Sequence, residues 1–187
     1  MLFRSLATGV KPAFDAVSYD MDDKDLETII ERAIAKGKAT GLATDTTIIS
    51  NNAILPFVAH AEVANEEAKY KKLVQQALSS LFSSKLNLLI SSDKVEANET
   101  DKYISVTLVD DFPTAINKSI YFGKESLSTA EYATVSTKSL DALATNGNGF
   151  VFVAEYTKTA HAAEKQDVDA TIAAMYDFNT YVSSIYC

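Results

Sequence analysis

The chain has 187 residues, of which 47% are apolar and 22% are charged, and its formal net charge is −8. This composition excludes a disordered, collagen-like or low-complexity protein, and the length suffices to bury a core without a disulfide or a structural metal. The single cysteine, Cys187, excludes an intrachain disulfide and any paired-cysteine redox or zinc motif. We therefore expect an acidic protein with an ordinary packed core.

The negative charge also bears on the partners of this protein. Phosphate backbones and anionic lipids are bound by clusters of Lys and Arg. Only Lys69, Lys71 and Lys72 cluster in this sequence, and Glu66 and Glu67 stand beside them. We predict no nucleic-acid partner and no membrane partner.

Residues 1–187 are interpreted as a single globular domain, with residues 1–14 as a candidate N-terminal arm. This first segment contains Arg4 and Lys11 but no acidic residue, which is also typical of a cleaved targeting peptide. The two interpretations stay open. The sequence favours a cytoplasmic protein or a component of an assembled virion, with an organellar matrix as the alternative location.

Local patterns predict a helix, a strand and a broken segment in the first third of the chain. The helix should begin at Asp22 or Asp23, which can cap its free amides, and end at Gly37. Residues 42–50 are rich in β-branched side chains and predict a strand. The apolar stretch 53–61 follows, and its proline disfavours a helix interior or a central strand.

The strongest helical pattern in the sequence covers residues 66–82, where apolar side chains recur at helical spacing on one face. We expect Leu78 to face the core and Lys72 to face solvent. The acidic stretch 93–101 has the composition of an exposed loop.

The second half of the chain is dominated by predicted strands. Residues 126–136 are ambiguous between strand and irregular structure. The remaining patterns predict strands over 102–109, 115–122 and 150–156, a short helix over 138–145 and a final helix over about 164–183. The first two of these strands should pair as a hairpin, and the third should be buried on both faces because it is almost continuously apolar.

This order of elements predicts an α+β fold. Strands that are adjacent in sequence favour a mixed or mainly antiparallel sheet of four to six strands, with about three principal helices packed on it.

Metal-binding patterns are weak in this sequence. Asp20, Asp22 and Glu31 occupy the first, third and twelfth positions of a calcium loop, but Lys24 stands where an oxygen ligand should be. The acidic residues are therefore interpreted as helix-capping groups. His60 and His161 lie far apart in the sequence without a zinc spacing, and His60 is interpreted as a hydrogen-bonded structural histidine. We predict no metal site.

Catalytic and cofactor motifs are missing as well. The chain has only six glycines and no phosphate-binding loop, and Gly147 and Gly149 precede a strand rather than a helix. Cys187 has no supporting residues. Asp110 and Asp111 point to opposite sides of an extended chain and suit a turn. We therefore assign no catalytic residue and no cofactor, and the sequence leans against an enzyme.

Aromatic side chains are the remaining candidates for a functional surface. Tyrosine is favoured at interfaces because it has an apolar body and a polar tip. Core packing and a subunit interface are both compatible with this pattern. The interface candidates are Phe3, Phe14, Tyr176, Phe178, Tyr181 and Tyr186.

Three functional hypotheses follow. The first is a non-enzymatic structural or assembly protein that forms a homo-oligomer, such as a phage tail, neck or capsid-associated virion component. The alternative is a small-molecule enzyme or ligand-binding protein whose site is assembled from dispersed residues. The third is an organellar protein with a processed N-terminus. Partners in the first case are copies of the chain or other assembly proteins.

Overall fold

One parallel β-sheet lies at the centre of the molecule. The computed structural model describes residues 2–14, 16–22, 24–48, 54–61, 66–83, 85–92, 103–125 and 127–186. The strands are β1 (Ala39–Thr44), β2 (Leu88–Ser91), β3 (Tyr103–Val106), β4 (Ser119–Gly123) and β5 (Phe150–Glu155). They lie in the order β3-β4-β2-β1-β5, and every pair of neighbours is parallel.

Helices cover both faces of this sheet, as a parallel sheet requires. The described residues contain six α-helices and two short 3-10 turns. The α-helices are α1 (Leu2–Thr8), α2 (Ile29–Ala35), α3 (Glu66–Phe82), α4 (Thr129–Ala144), α5 (Lys158–Glu164) and α6 (Val168–Ile185). The prediction of an α+β fold with a mixed or antiparallel sheet and three helices is therefore wrong. The fold is a Rossmann-like α/β arrangement.

The expected hairpin explains part of this error. The two strands do pair, but in parallel, with Tyr103 opposite Ser119. Parallel pairing needs a connection of about a dozen residues that returns the chain to the same end of the sheet. Residues 107–118 form that connection, and its Phe112 packs on Phe122 of β4 with ring centroids 6.3 Å apart.

Two helices begin at capping boxes that the sequence analysis overlooked. At α2 the Thr28 hydroxyl accepts from the Glu31 amide, and the Glu31 carboxylate accepts from the Thr28 amide. Ser128 and Glu131 make the same exchange at α4. These reciprocal bonds satisfy free amides in the first turn. As a result α2 begins at Ile29 rather than near residue 22, and the ambiguous stretch 126–136 lies largely within α4.

The predicted final helix is two helices. Residues 165–167 separate α5 from α6, and Gln166 has a positive φ of 55° that interrupts the helical backbone. Asp167 then caps α6, accepting a hydrogen bond from the Ala170 amide at 2.9 Å. None of the described helices is both long and apolar enough to cross a membrane.

Alternating side chains of the sheet build two cores. The first core contains Leu42 and Leu89 of the sheet together with Leu73 and Leu81 of α3, and all four are fully buried. The second core lies on the opposite face and is closed by α4 and α6. Its largest members are Tyr132, Tyr181, Phe112 and Phe122, and Leu88 and Ile120 of the sheet also belong to it. The two cores fix which helices lie above and below the strands.

Strand β5 is less covered than β1, β2 and β4. All residues of those three strands are buried, whereas in β5 Phe150 and Ala154 are exposed and the others are half-buried. The expectation that this strand is buried on both faces is wrong. It pairs with β1 on one side and forms an edge of the sheet on the other.

Gly41 of β1 is expected to tolerate no side chain. A Cβ there would lie 2.9 Å from Phe152, 3.0 Å from Leu143 and 3.1 Å from Leu88. Gly41→Ala should therefore lower the free energy of unfolding by about 1–3 kcal/mol through overpacking. Chemical denaturation measures the change. Gly147→Ala is the matched control, because nothing lies within 4 Å of its Cβ position. Equal midpoints for the two variants would contradict the packing.

Candidate functional site

The carboxyl ends of β1 and β5 lie side by side at the same end of the sheet, and the crevice is the space beyond these two strand ends. The first long helix after β1 is α3, which packs in the first core, whereas α6 follows β5 and packs in the second core on the opposite face. In open α/β sheets, ligands bind where neighbouring strands send their helices to opposite faces in this way. Thr44, the last residue of β1, lies opposite Glu155, the last residue of β5.

Asp45 lies in this crevice directly after β1. Its side chain is clamped from one side, because the Thr157 amide and the Thr157 hydroxyl both donate to Asp45 Oδ1, at 2.9 and 2.8 Å. The residue is only 8% exposed. Its second oxygen, Oδ2, is buried and has no hydrogen-bond partner among the described residues.

Glu155 is the second carboxylate of the crevice. Burial raises its pKa to about 7, a hydrogen bond with Thr44 opposes that rise, and the nearby charge of Asp45 adds to it. Glu155 Oε2 is buried, and no residue in the described part of the chain makes a hydrogen bond to it. Two buried carboxylate oxygens therefore stand unsatisfied at the ends of neighbouring strands, an arrangement that costs free energy unless a positive group or a proton compensates it.

An aromatic wall supports the crevice from the second core. The Tyr132 hydroxyl donates to the Glu155 carbonyl oxygen at 2.8 Å, which fixes the end of β5. The Tyr132 ring stacks on Tyr181 at 4.9 Å, and Tyr156 lies 5.8 Å from Tyr181. Burial raises the pKa of Tyr132 well above its usual value, so this hydroxyl remains a donor at neutral pH. Tyr132 and Tyr181 are both buried, so the second core lies directly behind the end of β5.

Oxygen ligands for a hard cation are what this crevice offers. Within the described part of the chain no group of three or more His, Cys, Asp and Glu side chains is placed to hold a metal ion. Magnesium, however, is commonly bound by one or two carboxylates, with water or substrate oxygens completing its coordination. Asp45 and Glu155 meet that smaller requirement.

The aromatic interface candidates are distributed over the molecule. Tyr181 is 3% exposed and lies in the second core, where its hydroxyl donates to Ser136 Oγ at 3.1 Å. Phe178 is 42% exposed and contacts Tyr156, with ring centroids 5.6 Å apart. The side chain of Phe3 lies outside the described residues. The other three candidates are largely exposed: Phe14, Tyr176 and Tyr186.

The acidic segment that resembles a calcium loop has structural roles. Asp20 Oδ1 accepts from the amides of Asp22 and Lys24, at 2.8 and 2.9 Å, and closes a turn. Glu31 caps α2 and also contacts His60, with Oε1 3.0 Å from Nε2. The interpretation of these residues as capping groups is confirmed for Glu31. The stretch 93–101, predicted to be an exposed loop, lies outside the described residues.

His60 is the hydrogen-bonded structural histidine that the sequence indicates. Its Nδ1 is 3.0 Å from the Ser18 carbonyl oxygen, and Nε2 contacts Glu31. The hydrogen bond to Glu31 outweighs burial and raises the pKa of His60. In return, hydrogen bonds from His60 and Thr28 outweigh burial and lower the pKa of Glu31. The pair ties α2 to the segment before α3.

Asp45 and Glu155 are not among the residues predicted from the sequence. The pattern that could have indicated them is an acidic residue at the end of a predominantly apolar segment, as in LATD and in FVFVAE. Acids at the carboxyl ends of parallel strands meet at one edge of the sheet. The wrong expectation of antiparallel strands removed the reason to consider them together.

Comparison with solved structures identifies the fold. The chain is similar to the cold-active alkaline phosphatase of Shewanella sp., with a TM-score of 0.77 and 22% identity, over 98% of this chain and 48% of that one. It is also similar to the alkaline phosphatase of the Antarctic bacterium TAB5, with a TM-score of 0.74 and 15% identity, over 97% and 57%. A mutant of that enzyme, solved with Mg bound in its M3 site, has a TM-score of 0.74 and 13% identity, over 97% and 57%.

These similarities establish the fold, and the chain spans about half the length of the phosphatases it matches. No family model and no curated protein sequence matches the chain. The hypothesis of a structural virion protein, such as a phage tail component, is wrong, because the architecture is the one found in these phosphatases. The correction follows from the parallel sheet, which the sequence analysis did not anticipate.

Proposed function

We propose that the chain is part of a phosphatase-like enzyme that hydrolyses phosphate esters with the help of a divalent cation held by Asp45 and Glu155. The observation that carries this proposal is the pair of unpartnered carboxylate oxygens at the carboxyl ends of β1 and β5. The proposed enzyme would have a site assembled from residues that are far apart in the sequence, as the alternative hypothesis from the sequence expected. The alkaline phosphatase fold supports the choice of reaction.

The two carboxylates fit such a cation for a specific reason. Thr157 uses both its amide and its hydroxyl on Asp45 Oδ1, so Asp45 Oδ2 is left for a ligand. Glu155 interacts with Thr44 and likewise retains one free oxygen. A divalent cation held by Asp45 and Glu155 would neutralise two buried carboxylates whose negative charges otherwise repel each other.

When bound, the cation would supply a Lewis acid for a phosphate oxygen. The residues of the chain orient and shield it. Thr157 fixes the rotamer of Asp45, and Tyr132 fixes the main chain at Glu155 through its carbonyl oxygen. Because the chain spans about half of the phosphatases it resembles, we assign no nucleophile to the described residues.

Binding of orthophosphate in the presence of Mg²⁺ tests the proposal. We expect Mg²⁺ to raise the melting temperature of the parent chain, with a stabilisation of about 2.7 kcal/mol at a hundredfold excess over the dissociation constant. Calorimetric titration should then detect orthophosphate binding in Mg²⁺ and none in a chelator. Asp45→Asn and Glu155→Gln should each lose both effects.

Glu164→Gln is the matched control, since this carboxylate is exposed on α5. It should behave like the parent chain in both measurements. If Mg²⁺ stabilises Glu155→Gln as much as the parent, the cation does not bind at the crevice and the proposal fails.

A further inference from the structure

Both ring nitrogens of His60 face oxygen acceptors. Nδ1 lies 3.0 Å from the Ser18 carbonyl oxygen, and Nε2 lies 3.0 Å from Glu31 Oε1. The Glu31 carboxylate also accepts a hydrogen bond from the Thr28 amide, so it acts as an acceptor on both sides. A neutral imidazole has one N–H group and one lone pair, so it can donate to only one of its two neighbours. The geometry is therefore that of an imidazolium, in which both nitrogens donate.

One of these acceptors belongs to a strained residue. Ser18 is fully buried and has a positive φ of 54°, a conformation that few residues other than glycine adopt. Such a backbone persists only where the surrounding contacts hold it. The Ser18 hydroxyl donates to the Pro56 carbonyl oxygen at 2.7 Å. The Ser18 carbonyl oxygen accepts from the Leu26 amide at 2.8 Å and also contacts the His60 ring.

The main chain of His60 is held separately from its ring. Gln76 of α3 accepts from the His60 amide at 2.6 Å and donates to the His60 carbonyl oxygen at 2.9 Å, through an uncharged side chain. Next to this contact, Val17 and Ala61 exchange two main-chain hydrogen bonds of 2.8 and 3.0 Å. A change in the charge of the ring would therefore act on the Ser18 backbone, while His60 itself stays attached to α3.

Carboxylates dominate the charged groups around the ring. The described residues that line an open pocket of about 400 Å³ at this point are His60 and three acids: Asp25, Glu27 and Glu31. Asp25 Oδ1 lies 3.8 Å from Nδ1, and the Tyr19 ring meets the imidazole edge-on with centroids 6.3 Å apart. The nearby Arg32 is paired with Glu27, with Nε 2.9 Å from Oε2. The surroundings therefore favour the charged form of the imidazole.

We propose that Ser18, Glu31 and His60 form a pH-sensitive clasp, in which the charged imidazole holds the strained Ser18 backbone and the loss of one ring proton releases it. Hydrogen bonds to an ionised carboxylate are the stronger ones, so the remaining proton stays on Nε2 beside Glu31. The bare Nδ1 then faces the Ser18 carbonyl oxygen at 3.0 Å, and the two acceptors repel each other. The Ser18 backbone relaxes away from its strained conformation, which separates Val17 from Ala61.

The clasp is closed at low pH and opens at high pH. The hydrogen bond to Glu31 raises the pKa of His60 above the ordinary value of 6.5, against the opposing effect of burial. The clasp is therefore closed below about pH 6.5 and opens as the pH rises through the raised pKa. Because 14% of the His60 side chain is exposed, solvent protons reach the ring without unfolding of the chain.

Hydrogen exchange at three amides tests the clasp. The amides of Val17, Ala61 and Leu26 donate to carbonyl oxygens within this contact. We expect their protection factors, which correct for the effect of pH on intrinsic exchange, to fall several-fold in the parent between about pH 6 and about pH 9. His60→Gln cannot carry the charge, so its protection should be low at both pH values. A chelator is present throughout, so the result does not depend on the proposed function.

Glu31→Gln is the second variant, because glutamine can also serve in a capping box but lacks the charge that favours the imidazolium. The fall in protection should move to lower pH in this variant. His161→Gln is the matched control, since His161 is the other histidine of the chain and lies on α5, and it should leave the pH dependence unchanged. Protection that is constant with pH in the parent would overturn the proposal. So would an equal fall in His60→Gln, or a fall at the same pH in Glu31→Gln.

Discussion

Leu73→Ala is expected to lower the free energy of unfolding by about 2–5 kcal/mol, the range for truncating a large side chain in a packed core. Leu73 lies in the middle of α3 and is 0% exposed in the first core, between the helix and the sheet. The truncation would leave a cavity that neighbouring strands cannot fill, because their side chains are also fully buried. Urea titration measures the loss as a lower midpoint.

The choice of Leu73 corrects the sequence-based choice of Leu78. Leu78 is only half-buried at the margin of the first core, so its truncation should cost less. Lys72→Ala, on the exposed side of α3, should change the stability by less than about 0.5 kcal/mol. If Leu73→Ala and Lys72→Ala unfold at similar urea concentrations, α3 does not pack on the sheet as described.

Helix α3 shows what sequence periodicity determines well. The apolar stripe predicts residues 66–82, and α3 has those bounds. A long amphipathic helix is specified by its own residues, because one face must be buried whatever the partner is. The starts of α2 and α4 are also encoded locally, since Thr28 with Glu31 and Ser128 with Glu131 have the capping-box spacing. The predicted start near Asp22 and the ambiguous assignment of 126–136 did not take this spacing into account.

The direction of the strands is a different problem. The predicted strands 102–109 and 115–122 contain β3 and β4, and the two strands are indeed neighbours. No local sequence pattern distinguishes a hairpin from a parallel pair of strands when the connection contains about a dozen residues. Both kinds of connection contain turns and polar side chains. Direction depends on whether the connection crosses back over the sheet, which is decided by distant packing such as Phe112 on Phe122.

The candidate site depends on that direction. Thr157 and Asp45 are 112 positions apart in the sequence and are joined by two hydrogen bonds. Their proximity follows from the parallel pairing of β1 with β5, with Thr44 opposite Glu155. No motif connects these residues along the chain. A site of this kind can be found from sequence only after the strand order is known.

Glu155 is expected to make the stability of the chain fall as the pH rises from about 4.5 to 7. Its pKa is raised from the ordinary value of 4.5 to about 7, chiefly by burial. The folded chain therefore binds more protons than the unfolded chain in this interval, so deprotonation favours unfolding. The loss should reach roughly 3 kcal/mol above pH 7. Denaturant titrations across this pH range measure it, and Glu155→Gln should show no such loss.

Other groups must be separated from this effect. The raised pKa of His60 also removes stability, but only as the pH rises above about 6.5, and the lowered pKa of Glu31 acts below about 4.5. Both contributions are the same in the parent and in Glu155→Gln, so the difference between their free energies of unfolding at each pH isolates Glu155.

Saturating Mg²⁺ should remove the pH dependence of this difference, because a cation bound to the ionised carboxylates would favour the deprotonated form of Glu155. Both proteins are also compared without Mg²⁺. If the free energy of unfolding of the parent then changes with pH no more than that of Glu155→Gln, Glu155 is solvated rather than buried beside Asp45.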